Sequence, residues 1–168
     1  HYDTFVDLLD VAGYKVGFTG KGWGPGEWAQ GGRTRNPAGD EYNEHMLATK
    51  PKKGINGKDY TANFRQFMSE REEGQPFFFW YGGHEPHLSY AEGPHADEDL
   101  AKVAVPGFLP DTKASRSTLL DYAHEIHHFD KYLGKIIAIL KAAGELENTL
   151  VIVTSDNGMP LPRAKANG

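Results

Sequence analysis

Residues 76–81 read PFFFWY, an unbroken apolar and aromatic run. A strand with one wet face alternates apolar and polar side chains. A run with no polar position predicts a central strand covered on both faces, as in parallel sheets flanked by helices. Residues 14–19 alternate Tyr14, Val16 and Phe18 and read as a second strand. Residues 150–154, LVIVT, are apolar or β-branched throughout and read as a third, buried one. Elsewhere the period turns helical. Phe5, Leu8, Leu9 and Ala12 share one face of a short helix over residues 4–12, capped by Asp3 and stopped at Gly13. Residues 58–73 form a second amphipathic helix with Tyr60, Phe64, Phe67 and Met68 on one side. Residues 114–143 form a long third helix. Its apolar face is Leu119, Tyr122, Ala123, Ile126, Phe129, Leu133, Ile137 and Leu140. The order helix, strand, helix, strand, helix, strand predicts an α/β fold, a mostly parallel sheet flanked by helices with right-handed crossovers. Residues 27–56 and 91–112 have no such period and read as long loops, with one helical turn over 42–47.

The chain of 168 residues is long enough for one domain with a core. Its net charge of −5 gives no sign of nucleic acid or an anionic membrane as partner. No run approaches the ~20 apolar residues of a membrane helix. With no cysteine, these residues make no disulfide, thiolate zinc site or cysteine nucleophile. The abrupt ends, His1-Tyr2-Asp3 and a Gly/Pro/basic stretch to Gly168, read as a piece cut from something longer.

Each strand runs into polar chemistry at its carboxyl end, where open α/β sheets bind ligands. The first meets Gly20-Lys21-Gly22-Trp23-Gly24, a lysine among glycines that let the backbone approach an anion. The spacing of a P-loop is missing, and a solvated lysine is the plainer alternative. The second meets His84-Glu85-Pro86-His87, two imidazoles and a carboxylate within four positions. The third meets Ser155-Asp156-Asn157-Gly158, whose hard oxygens suit Ca²⁺ or Mg²⁺ and which is also good turn chemistry. Arg163 and Lys165 follow.

Two stretches imitate other chemistry. His124-Glu125-Ile126-His127-His128 has the HExxH spacing of zinc proteases. At ~100° per residue, His124 and His128 lie about 160° around the helix from Ile126, the middle of the apolar face. Both are therefore expected to point into water, with no third ligand presented downstream. Ser115-Arg116 echoes a Ser-Arg motif but lacks its neighbours.

Three segments in order, GYKVGFTGKGW, PFFFWYGGHEPHLSY and NTLVIVTSDNG, resemble the GYxTxxxGKWH, PFFLxxxxxxPHxP and NTxVIFTSDNG segments of the sulfatases of the alkaline phosphatase superfamily. The EPH variant and MPLPRAK are most similar to the heparan N-sulfatase branch. The resemblance covers essentially the whole chain. It implies an incomplete alkaline-phosphatase-like core, with residues 1–168 a single truncated part of a catalytic domain. It also implies hydrolysis of a sulfuric ester or sulfamate on a sulfated glycan, a calcium cofactor, and a periplasmic, extracellular or lysosomal location.

Carried over by position, Asp156 and Asn157 match calcium ligands. Lys21 matches the lysine that contacts sulfate and nucleophile. His87 matches the histidine that holds the sulfate and serves as general acid, and Lys165 a basic sulfate contact. His84 and Glu85 match no general catalytic position of the family and, with Trp23, are assigned to a branch-specific substrate pocket. The departures are specific. The Cys or Ser of CxPSR or SxPSR, precursor of the formylglycine nucleophile, is absent, as are the paired aspartates that complete the calcium site. Trp23 replaces the histidine of GKWH. The chain alone is therefore expected to be inactive and to bind calcium weakly or not at all. The alternatives are a phosphodiesterase or phosphonate hydrolase of the same superfamily, and a non-catalytic glycan-binding domain using Lys21, Arg163 and Lys165. Oligomeric state has no sequence signal.

Overall fold

A computed structural model describes residues 2–24, 26–49 and 51–159. They fall into two compact units, one of residues 1–50 with 57–84, the other of 51–56 with 85 onward. The first holds α1 (Phe5–Val11), β1 (Lys15–Gly20), β2 (Asp40–Glu41), α2 (Tyr60–Ser69) and β3 (Phe77–Gly82). The described strands pair in parallel, in the order β2-β1-β3. β1 and β3 match residue for residue, from Lys15 opposite Phe77 to Gly20 opposite Gly82. The expected α/β class with a parallel sheet is what forms.

Side chains of β3 alternate between two helical covers. Phe79 packs on Phe64 and Phe67 of α2, with ring centroids 4.8 and 4.7 Å apart, and Tyr81 lies 5.0 Å from Tyr60. Phe78 turns the other way and meets Phe5 of α1 edge-on at 5.2 Å. Tyr60, Phe64 and Phe67 are fully buried, and this aromatic layer is the core of the unit. α1 is capped by Thr4 rather than Asp3. The Thr4 hydroxyl accepts the Asp7 N–H, and the Asp7 carboxylate accepts the Thr4 N–H at 2.6 Å, a capping box.

Two expectations fail here. Residues 76–81 do not form the central strand; β1 does, with Val16 to Gly20 all buried. β3 is an edge among the described strands, and Trp80 is 43% exposed. An uninterrupted apolar run predicts covered faces and says nothing about the edges; here the cover is partial, and none of the β3 residues is fully buried. Nor is there a helical turn over residues 42–47. The chain runs extended beside β1, with the Tyr42 N–H on the Phe18 carbonyl at 2.8 Å and Met46 bridging Lys58. Tyr42 is buried edge-on against Phe67.

The second unit holds α3 (Asp97–Lys102), α4 (Lys113–Ala142) and a 3₁₀ turn, Leu146–Asn148. α3 interrupts the stretch read as irregular. Asp97, Glu98 and Asp99 in its first turn and Lys102 in its last suit the helix dipole. Arg116 ties it to α4. Its guanidinium donates to the Leu100 and Val103 carbonyls at 2.7 and 3.0 Å and to both Asp111 oxygens at 2.6 and 2.8 Å. The Ser-Arg echo is thus a structural clamp. α4 is rotated from expectation. Its buried stripe is Asp121, Glu125, Tyr132, Ile136 and Leu140, and Ile126 is 42% exposed. Facing inward, Glu125 and Asp121 accept main-chain N–H groups of the loop before the helix, those of His87, Ala91 and Gly93.

Residues 150–154 form no strand, contrary to their composition. Leu150 and Ile152 are 85% and 75% exposed. β-branched composition suits a pleated, half-buried surface, but a strand exists only where a neighbour takes its hydrogen bonds, and no described strand does so.

Candidate functional site

At the carboxyl edge of the sheet, β1 and β3 close up until only glycine fits. A Cβ on Gly20 would lie 2.0 Å from the Gly82 carbonyl oxygen, and one on Gly82 1.9 Å from that of Lys21. The Lys21 N–H donates to the Gly82 carbonyl at 2.6 Å, so the lysine leaves β1 directly beside the end of β3. Asn43 pins the same edge. Its Oδ1 accepts the Gly20 N–H at 2.7 Å and the Thr19 hydroxyl at 3.2 Å, and its Nδ2 donates to the Gly20 carbonyl at 3.0 Å. Past β3, the His84 N–H donates to the Tyr60 hydroxyl at 3.2 Å. The fold therefore brings Lys21 and His84 out of neighbouring parallel strands at one edge. Lys21 is exposed. Trp23 is 51% exposed, its N–H held by the Asn36 carboxamide at 3.1 Å.

Glu85 and His87 belong to the second unit, in a loop held by α4. Glu85 is 4% exposed and accepts the Asn56 N–H at 2.7 Å. Glu125, with no exposed surface, accepts the His87 N–H at 2.9 Å through one oxygen and the Ala91 N–H at 2.8 Å through the other. Burial raises its pKa, opposed by those two donors. One turn earlier, Asp121 accepts the Gly93 N–H at 3.2 Å and meets His95 Nε2 at 2.7 Å. The His87 ring is exposed, with Nδ1 2.5 Å from the Leu88 carbonyl. A carbonyl only accepts, so Nδ1 carries the proton and Nε2 is left for exchange.

The HExxH spacing is occupied differently from the zinc motif. Its glutamate faces the interior and binds main chain. His124 is exposed, as expected. His128 is not: it is half-buried, with its ring 5.0 Å from Tyr132 and Nε2 enclosed, and burial holds its pKa below the ordinary imidazole value. The rotation of α4 that carries Glu125 inward carries His128 with it.

Asp156 and Asn157 are exposed, in a turn where the Ser155 hydroxyl donates to the Asn157 carbonyl at 2.5 Å. They do not end a strand here. Ca²⁺ takes six to eight oxygens, and among the described residues no three His, Cys, Asp or Glu side chains converge to hold a metal. The pair by itself does not make a calcium site. Arg163 and Lys165 lie outside the described residues.

The family model described as Sulfatase matches residues 1–167. The chain belongs to the sulfatase family. It is 31% identical to the human N-sulphoglucosamine sulphohydrolase, with 61% of this chain and 25% of that protein covered. It is 32% identical to an ulvan-active sulfatase of Formosa agariphila, with 46% of this chain and 13% of that protein covered. The chain thus spans a quarter or less of these curated sulfatases. No solved structure matches it significantly. Among the described residues, no helix is long and apolar enough to cross a membrane.

Sequence reasoning missed two residues of this sulfatase chain that hold candidate groups in place. Asn43 lies in an aperiodic loop and carries no signal. Glu125 was visible only as part of a metal motif. Its spacing of four from Asp121 puts two acids on one helix face, a pattern that could have raised a shared role and was not read.

Proposed function

We propose that the protein to which this chain belongs hydrolyses a sulfuric ester or sulfamate on a sulfated glycan, as an N-sulfoglucosamine sulfohydrolase-like enzyme. The observation that supports this best is the delivery of Lys21 and His84 to one carboxyl edge of a parallel sheet, in a chain matched to sulfatases over residues 1–167. Binding sites of open α/β sheets lie at that edge.

In the reaction, the oxygen of water ends on sulfur, the S–O or S–N bond breaks, and the leaving oxygen or nitrogen takes a proton. Lys21 supplies fixed positive charge for the sulfate oxygens, and Lys165 supplies a second cation. His87 protonates the leaving atom from Nε2, the nitrogen left open by its bond to Leu88. Of the residues read as substrate-shaping, His84 and Trp23 would contact the sugar, while Glu85 is 4% exposed and holds the Asn56 N–H. Calcium is part of the reading: Asp156 and Asn157 would contribute two of its oxygens. When bound, the ion would supply further positive charge at the sulfate. The same reading implies a periplasmic, extracellular or lysosomal location. With no cysteine and no serine before x-Pro-Ser-Arg, these 168 residues supply no sulfatase nucleophile and are expected to be inactive alone.

The test is release of inorganic sulfate from heparan-type oligosaccharides carrying N- and O-sulfates, by the intact protein. Lys21→Ala and His87→Ala should each lower kcat/KM by roughly 10²-fold or more. Full turnover by both variants would overturn the assignment. Glycan binding with no sulfate released by the parent would favour a binding domain instead.

A further inference from the structure

A carboxylate with no exposed surface is costly to keep ionised, and a helix position facing a core is normally apolar. Glu125 occupies such a position. Its two oxygens are both engaged, on main-chain N–H groups four residues apart in the loop that carries His87. No other side chain fits this geometry. Glutamine has one acceptor and would set its NH₂ against an N–H; aspartate is a methylene shorter. Asp121 repeats the device one turn away on Gly93 and His95. The His87 ring, in turn, is tied to its own loop through the Leu88 carbonyl. Where the main chain of this loop is held, the ring is held.

We propose that Glu125 is the positioning residue of His87, fixing the main chain of residues 87–91 from the inner face of α4 so that Nε2 meets the leaving group. This rests on the reading of His87 as the general acid. Glu125 touches no substrate. Its effect is expected in the rate of proton delivery rather than in binding, because a misplacement of about 1 Å costs on the order of 10²-fold in a positioned group.

The experiment compares four variants of the intact protein, Glu125→Gln, Glu125→Asp, His87→Ala and the double variant Glu125→Gln/His87→Ala, by sulfate release across pH and by thermal unfolding. Folded Glu125→Gln should lose about tenfold to 10²-fold in kcat with KM little changed, and the pH–rate limb belonging to His87 should move. Glu125→Asp, which keeps the charge, should recover part of the loss. The double variant should be no slower than His87→Ala, since one residue acts through the other. A folded Glu125→Gln enzyme with parental kcat and pH profile overturns the proposal. So does a loss that multiplies with that of His87→Ala, which marks a merely structural role. If Glu125→Gln does not fold, Glu125→Asp carries the same comparison: an unmoved pH–rate limb overturns the proposal and a moved one supports it. Full turnover by His87→Ala would remove the underlying reading instead, an outcome separate from any result at Glu125.

Discussion

Residues 77–82 and 150–155 are two versions of the same sequence idea. Each is an apolar, strand-prone run that ends in polar residues suited to a site. The first is hydrogen-bonded to β1 in full register and covered by aromatic rings from two helices. The second pairs with nothing among the described residues and leaves Leu150 to Val153 between 41% and 85% exposed. The difference lies in the neighbour. Composition states that a segment is able to be a strand; a matched partner makes it one. The consequence reaches the site: Lys21 and His84 inherit a fixed edge, whereas Asp156 and Asn157 sit in an exposed turn.

The most severe way to break this comparison is to spoil the seam that makes 77–82 a strand. Gly82→Ala puts a Cβ 1.9 Å from the Lys21 carbonyl oxygen, a main-chain atom bound into the strand edge, and 2.7 Å from the Trp80 ring nitrogen. The β1–β3 edge must spread. Stability to urea should fall by about 3 kcal/mol or more. A loss below about 1 kcal/mol would show that the seam does not set β3, and the contrast with 150–155 would lose its basis.

Legibility followed the same line. α1, β1, α2 and α4 were readable to within a few residues, because local periodicity and capping define them. β3 was readable as a strand, but its edge position was not, since edges are decided by distant pairing. β2 exists only because residues 40–41 lie beside β1, and polar residues at that point carry no strand signal. The face of α4 was misread because apolar spacing ranked Ile126 above Glu125. The interior there is polar and satisfies loop main chain, which periodicity does not register. At the candidate site, Lys21 and His84 were readable from strand ends, and Glu125 and Asn43 were not, since their partners are backbone groups of remote segments.

A milder test acts on the cover of β3 rather than its edge. α1 supplies Phe5 against Phe78, and its start depends on Asp7. Burial alone would raise the Asp7 carboxyl, but hydrogen bonds from Arg33 and Thr4, with the charge of Arg33, bring it from 3.8 down to about 2. A pKa lowered in the folded state gives stability that is complete above pH 3.8 and is lost as pH falls through about 2. Asp7→Asn should therefore cost about 1–2 kcal/mol at neutral pH, and the gap in thermal stability from the parent should close across that acid window. A gap constant with pH would locate the effect outside the carboxylate.

The smallest effect is expected in the other run, and it is the one that sharpens the comparison most. Ile152 is 75% exposed, so Ile152→Ala removes little buried surface and should change the stability of this chain by less than about 0.5 kcal/mol. Amides of residues 151–154 should exchange with solvent far faster than those of β1, which is hydrogen-bonded on both sides. The same two measurements in a longer protein containing the chain separate the causes. If a partner strand is present there, the amides become protected and Ile152→Ala costs about 2–5 kcal/mol, the range for a buried aliphatic side chain. The identical residues would then be a strand in one context and an open segment in the other, and Asp156 and Asn157 would gain the fixed edge that Lys21 already has. Slow exchange in the isolated chain would instead show that the run orders itself without a neighbour, and the lesson drawn from β3 would not hold.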